Sequence, residues 1–185
     1  MAYLYPNGPS LPRQPAKIAC LDVYYYGDYA KACCIVFEVA PKEKIISEHC
    51  KIIKPVSEYI PGEFYKRELP CLLEVYKSIK EEIDLIIIDG FVVLEKGKKG
   101  LGSYLFGILN NKTPVIGVAK SYFRGCQNYA HVYRGKSNKP LYISSIGIDL
   151  GFSAELIKNL GGANRIPAML KRVDRLTREN HNRIM

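Results

Sequence analysis

The run Leu85-Ile86-Ile87-Ile88-Asp89-Gly90 constrains the fold of this chain more than any other segment. An apolar stretch this short, with no polar residue on either face, suits a strand buried on both sides, as a central parallel strand of an α/β sheet is. It closes on an acid, and open α/β sheets place ligands at the carboxyl ends of their strands. Two other apolar runs also close on a charge. Lys17-Ile18-Ala19-Cys20-Leu21 ends at Asp22, and Pro114-Val115-Ile116-Gly117-Val118-Ala119 ends at Lys120. Alternation puts Ile18, Cys20 and Asp22 on one face of their strand, so Asp22 finishes a face that is otherwise apolar.

Around these runs the pattern predicts strands over 17–24, 30–39 and 44–54, separated by Gly27-Asp28 and Pro41-Lys42. Connections this short imply an antiparallel meander. From 63 to 83 the period becomes helical, with Leu69, Leu72, Tyr76, Ile79 and Ile83 on one stripe. Pro70 belongs in a first turn, so the helix is expected to start near Leu69, with Glu68 at its entrance. A strand at 84–89, a helix at 101–109 and a strand at 114–119 follow, then a hairpin over 128–134 and 139–146. Helices are predicted over 153–160 and 167–180, the last with Leu170, Val173 and Thr177 inward and Lys171, Arg175 and Arg178 as a basic stripe. Strand–helix alternation added to a meander gives an α/β fold, a mixed sheet flanked by helices. At 185 residues one core is expected. Residues 1–16, with Pro6, Pro9, Pro12 and Pro15, read as an extended tail, and 17–185 as a single domain.

Lys and Arg number 27 against 18 acids, a formal charge of +9. That balance favours a polyanionic partner through counterion release. A soluble protein that is merely basic is the plainer reading. No run approaches the ~20 apolar residues that span a bilayer, so no membrane partner is expected, and nothing calls for an obligate protein partner. The six cysteines form no C-x-x-C pair, and the three histidines are scattered, so there is no zinc spacing. The cysteines read as small core residues of a reducing, cytoplasmic protein.

Asp22, Glu68 and Asp89, at the ends of buried-looking segments, are a hard-oxygen set suited to a divalent cation. Each Asp alone is read as readily as a turn residue, Asp89-Gly90 above all. Lys120, at a strand end on the same edge, suits stabilisation of charge on a phosphoryl group. Tyr59-Ile60-Pro61-Gly62 is a rigid aromatic–proline loop of the kind that wedges a duplex open.

Taken in order, Tyr59-Ile60-Pro61-Gly62, Arg67-Glu68, Asp84 to Gly90 and Gly117-Val118-Ala119-Lys120-Ser121 resemble endonuclease V. A weaker match continues through Lys139 to Ser144 and Arg165-Ile166-Pro167 to Leu176, so that it spans about residues 17–180. The resemblance implies an RNase H-like fold and cleavage of DNA or RNA at the second phosphodiester 3′ to inosine, a deaminated base. It implies Mg²⁺ or Mn²⁺ held by Asp22, Glu68 and Asp89, with Lys120 as the active-site lysine. It implies a wedge of Tyr59, Ile60 and Pro61, and a base pocket lined by Gly62, Phe64, Gly90 and Ala119.

The chain also departs from that pattern. Where the family reads Asp-Gly-His-Gly, this chain has Asp89-Gly90-Phe91-Val92 and then Glu95, and a later family histidine is absent near Ile148. Phe91 is expected to stack in place of the glycine–histidine turn and narrow the pocket. Two further readings therefore stand beside the inosine endonuclease: a catalytically silent nucleic-acid-binding protein of the same fold, and a structure-specific RNase H-like nuclease.

Overall fold

The computed structural model describes residues 16–39, 42–60, 62–94, 98–126 and 128–179. Nearly all of the expected tail, together with Pro61, Glu95 and Lys96, lies outside them. Among the described residues the strands are β1 (Lys17–Tyr25), β2 (Ala30–Glu38), β3 (Lys44–Ile53), β4 (Leu85–Asp89), β5 (Val115–Ala119), β6 (Ala130–Val132) and β7 (Leu141–Ile146). The helices are α1 (Phe64–Tyr76), α2 (Leu101–Ile108), α3 (Leu150–Asn159) and α4 (Ala168–Arg178).

The strands form one mixed sheet in the order β3-β2-β1-β4-β5-β7-β6. The β1–β2–β3 meander is antiparallel, β1, β4 and β5 run parallel, and β7 and β6 close the far edge antiparallel. This is the α/β mixed sheet expected from the sequence. The register of β1 on β4 is clamped at its amino end. The Lys17 amide donates to the Asp84 carboxylate at 3.0 Å, and the Asp84 amide donates back to the Lys17 carbonyl at 2.9 Å.

Alternation divides the core into two layers. Ile18, Cys20, Leu85, Ile87, Ile116 and Val118 face α3 and α4. Ala19, Leu21, Ile86, Ile88 and Val115 face α1 and α2. Removing these side chains from water, at about 25 cal/mol per Å² of apolar surface, is what makes β4 a fully buried strand.

Three expectations need correcting. Helix α1 begins at Phe64, not near Leu69, and Pro70 lies inside it. Pro70 and Lys66, whose carbonyl loses its helical donor, are both exposed, so water takes the place of the missing bond. Glu68 is therefore a buried helical residue rather than an entrance residue, and the helix stops before Ile79 and Ile83. The cysteines are not all free: Cys33 and Cys50 form a disulfide. They are direct partners in the β2–β3 register, with Cα atoms 4.2 Å apart. Cys20, Cys34, Cys71 and Cys126 are free and buried, as read. The basic stripe on α4 is largely paired within its own helix, through Arg175–Glu179 at 2.8 Å and Arg178–Asp174 at 3.0 Å.

Helix α4 is held at both ends. The Lys31 ammonium, buried, donates to the Glu179 carbonyl at 3.0 Å, and the Tyr26 hydroxyl donates to the Thr177 carbonyl at 2.9 Å. A cation at a helix C-terminus also matches the helix dipole. At the other end, the buried Arg134 guanidinium donates to the carbonyls of Lys158, Leu160, Gly161, Gly162, Asn164 and Arg165. One side chain thus satisfies the end of α3 and the turn that leads into α4. Arg134→Met is expected to lower stability by about 2–4 kcal/mol in denaturant unfolding, because several buried carbonyls lose their donors. Arg134→Lys should not restore it, since an ammonium has fewer donors and no planar fork.

Candidate active site

The parity of three parallel strands builds the site. Ile18 and Cys20, Leu85 and Ile87, and Ile116 and Val118 all face the α3–α4 layer. The next residue of the same parity on each strand is Asp22, Asp89 and Lys120. All three line a cleft of about 760 Å³ at the carboxyl end of the parallel strands. Its opposite wall comes from Lys136 and Ser137, from the α3–α4 turn at Ala163 to Ile166, and from Leu170, Lys171 and Asp174 of α4.

Lys120 donates to the Asp89 carboxylate at 2.6 Å. Burial alone would lower the lysine's pKa. The charge of Asp89 and this hydrogen bond, aided by Asp22 and Asp174, outweigh burial and hold it above the ordinary value. Asp22 is pushed up to about 7, first by burial and then by the charge of Asp89. The Val23 amide, 2.9 Å from its Oδ1, opposes that shift, and Asp174 adds to it. Glu68 arrives from α1, on the other face of the sheet, and is 7% exposed. Burial, then Asp22, then Asp89 push it well above the carboxylate range. Its Oε2 is buried with no hydrogen-bond partner.

An orphaned carboxylate oxygen beside two other acids is the donor chemistry that a hard divalent cation satisfies. As placed, no three His, Cys, Asp or Glu side chains among the described residues converge closely enough to hold an ion. The Lys120 ammonium bonds Asp89 instead.

The expected base-pocket residues lie elsewhere than this cleft. Gly90 has φ of 118°, a left-handed turn straight after Asp89 that a side chain would strain. Gly117 gives the turn room. A Cβ there would stand 2.5 Å from the Gly90 carbonyl and 2.9 Å from Ser144 Oγ, so its role is packing. Ala119 is buried with Phe91 and Cys126 under Tyr129 and Tyr142. Phe91 packs there tilted or edge-on to Phe123, Tyr129 and Tyr142, with ring centroids 6.4–6.5 Å apart, rather than stacked as expected. Gly62 precedes α1 and Phe64 opens it. Tyr59 and Ile60 are exposed, as a wedge requires, Phe64 is exposed too, and Pro61 lies outside the described residues.

Asp174, Lys136 and Arg165 also line the cleft, with no cleft role legible for Lys136 and Arg165 in the sequence pattern alone. Arg165 donates to the carbonyls of Lys120 and Pro140. A usable signal existed for Asp174, which is one helical turn from both Lys171 and Arg178 on the same face.

The Endonuclease V family model matches residues 7–135 of this sequence. The chain belongs to the endonuclease V family. It is 32% identical to Endonuclease V of Pyrococcus abyssi over 90% of this chain and 81% of that protein. The structure resembles that of Endonuclease V from Streptomyces avermitilis, with a TM-score of 0.75, 25% identity, and coverage of 95% of this chain and 85% of that one. It also resembles Ciona intestinalis Endonuclease V, solved in complex with a 23mer DNA containing an inosine followed by a ribo-adenosine. There the TM-score is 0.72 at 22% identity, over 88% of this chain and 83% of that one, a likeness of fold. The sheet is thus the RNase H-like one of the endonuclease V family. Among the described residues no helix is long and apolar enough to cross a membrane.

The shifted acids make a pH prediction for the metal-free protein. An acid whose folded-state pKa is raised has its stability in full at low pH and loses it as pH rises through the interval between the unfolded and folded values. For Asp22 that interval runs from 3.8 to about 7. In chelator, thermal unfolding should therefore move down between pH 5 and pH 8, and Asp22→Asn should recover a few degrees at pH 8 but little at pH 5. The same pH slope in wild type and variant would refute the burial of this charge.

Proposed function

We propose that this protein is a divalent-metal-dependent endonuclease that hydrolyses a phosphodiester 3′ to inosine in DNA or RNA. The observation that carries the reading is the convergence of Asp22, Asp89 and Lys120 on one lip of the cleft, backed by the partnerless Oε2 of Glu68. The inosine-containing DNA bound by the Ciona relative supports the choice of substrate.

Asp22, Glu68 and Asp89 would hold Mg²⁺ or Mn²⁺, with Asp174 as a further carboxylate at the same cleft. Such an ion polarises a phosphoryl oxygen and makes bound water a nucleophile near neutral pH. Asp22, inclined to keep its proton up to about pH 7, must release it to become a ligand, so metal affinity should rise with pH. Lys120 neutralises Asp89 in the free protein. With Asp89 engaged by such an ion, the Lys120 ammonium would be available to donate to a non-bridging phosphate oxygen and to offset transition-state charge. Lys136 and Lys171 on the opposite wall suit backbone phosphates.

Tyr59 and Ile60, with Pro61, would fill the gap left by a flipped base. Gly62, Phe64, Gly90 and Ala119 would meet that base. The packing of Phe91 against Tyr129 and Tyr142 makes the Ala119 side of such a pocket shallow, which favours weaker base discrimination.

The Lys120–Asp89 pair, with no three ligands converged among the described residues, favours one second reading, a nucleic-acid-binding protein without catalysis. Matched inosine and plain oligonucleotides in Mg²⁺ or Mn²⁺ decide between the two. Cleavage, preferentially of the inosine strand, is expected. Asp89→Asn should reduce it by at least about two orders of magnitude while binding persists or tightens. Tyr59→Ala should reduce inosine preference more than overall affinity. If wild type cuts nothing and Asp89→Asn binds identically with and without metal, the silent reading replaces the enzyme. Neutralising about 4 phosphates also predicts a log–log salt slope of about −3 to −4 for binding.

A further inference from the structure

The loop that follows Lys120 carries an aromatic surface that adjoins the Ala119 side of the proposed base pocket. Tyr122 and Phe123 are 51% and 43% exposed. The Tyr122 ring lies 6.0 Å from Tyr129 and 6.1 Å from Tyr142, which are themselves 5.3 Å apart. His131 sits 5.2 Å from both Tyr129 and Tyr142. Beneath them is buried Phe91, 6.4 Å from Phe123 and Tyr129 and 6.5 Å from Tyr142. The surface is therefore a rim of exposed rings on a packed floor. Scattered exposed aromatics are ordinary, whereas contiguous ones mark a binding surface.

Its place in the chain ties it to the acidic edge. Phe91 stands two residues after Asp89, and Tyr122 two residues after Lys120. Two residues of extended chain reach about 7 Å at most. A phosphate at Lys120 and a base over Tyr122 would then belong to the same or adjacent nucleotides. Arg165, by bonding the carbonyls of Lys120 and Pro140, fixes the base of this loop to the strand leading into Tyr142. Exposed Arg124 and Lys139 add positive charge to the same stretch.

We propose that this surface is a stacking platform for an unpaired nucleobase of the substrate strand, beside the scissile phosphate. The proposal rests on the nuclease reading. Flat aromatic faces bordered by cations are the chemistry that holds single-stranded nucleic acid, because every base offers a π-face and every linkage an anion. A base inside a duplex has both faces covered by its neighbours, so the platform selects strand that is already open. It would give the protein an affinity for unpaired strand that does not depend on inosine.

The test is fluorescence anisotropy in chelator, so that no cleavage intervenes, with labelled unmodified DNA of about 12 nucleotides, single-stranded and as a duplex. Tyr122→Ala and Phe123→Ala should each weaken single-strand binding about ten-fold, with duplex binding within about two-fold of wild type. Tyr122→Phe should behave as wild type, because it keeps the ring and loses only the hydroxyl. Both positions are half exposed, and unchanged melting temperatures would verify that the fold is intact. Equal losses on both DNAs, or no loss on either, would overturn the platform and leave the nuclease reading standing. So would self-association that Tyr122→Ala abolishes while oligonucleotide binding is intact, since the surface would then hold a second copy of the chain. Wild-type protein that binds neither DNA would remove the nuclease reading and the platform with it.

Discussion

The reciprocal pair of hydrogen bonds between Lys17 and Asp84 sets the register on which the rest of the structure depends. Asp22 and Asp89 each stand five residues beyond that clamp, on strands that run parallel. A slip of one residue would turn one of them to the opposite face and separate the two charges. Held in register, two carboxylates share a partly dry edge, and the surroundings answer that repulsion. Lys120 neutralises one, Asp22 tends to keep its proton, and Glu68, behind the sheet, does the same. The arrangement costs stability in the free protein, and a cation or a proton relieves it.

The cleft has a second dependence, on Arg134. The acids sit on strands, which are rigid, but the facing wall is a turn whose carbonyls would be unsatisfied without that guanidinium. Arg165 then carries the order across to the acidic edge by bonding the Lys120 carbonyl. The two walls are thus joined by arginine–carbonyl contacts as well as by the apolar packing of α3 and α4 on the sheet.

What was legible in the sequence was what strand periodicity alone controls. The face of Asp22 follows from Ile18 and Cys20, that of Asp89 from Leu85 and Ile87, and the mixed sheet from the order of the runs. What was not legible depends on how separate elements dock. Asp174 reaches the cleft only because α4 crosses the end of β1, and Cys33 meets Cys50 only through the β2–β3 register. The start of α1 escapes the rule that puts a proline in a first turn, because Pro70 faces solvent. The basic stripe was overstated for a related reason. Arg175 and Arg178 look free in a list of cations, yet Glu179 and Asp174 stand one turn from them. The likeness to endonuclease V adds the base-pocket roles it implies for Gly62, Phe64, Gly90 and Ala119, which no local pattern would have assigned.

Helix α4 is fastened at its entry through the Arg134 turn and at its exit by Lys31 and Tyr26. A helix pinned at both ends can neither slide along its axis nor roll, so Lys171 and Asp174 form the fixed jaw of a vice. Across the cleft from it stand the strand ends of β4 and β5 and the loops that follow them. Those loops carry Phe91, Tyr122 and Phe123. A strand entering the cleft would thus meet a pinned helix on one side and, past Asp89 and Lys120, a set of aromatic rings on the other.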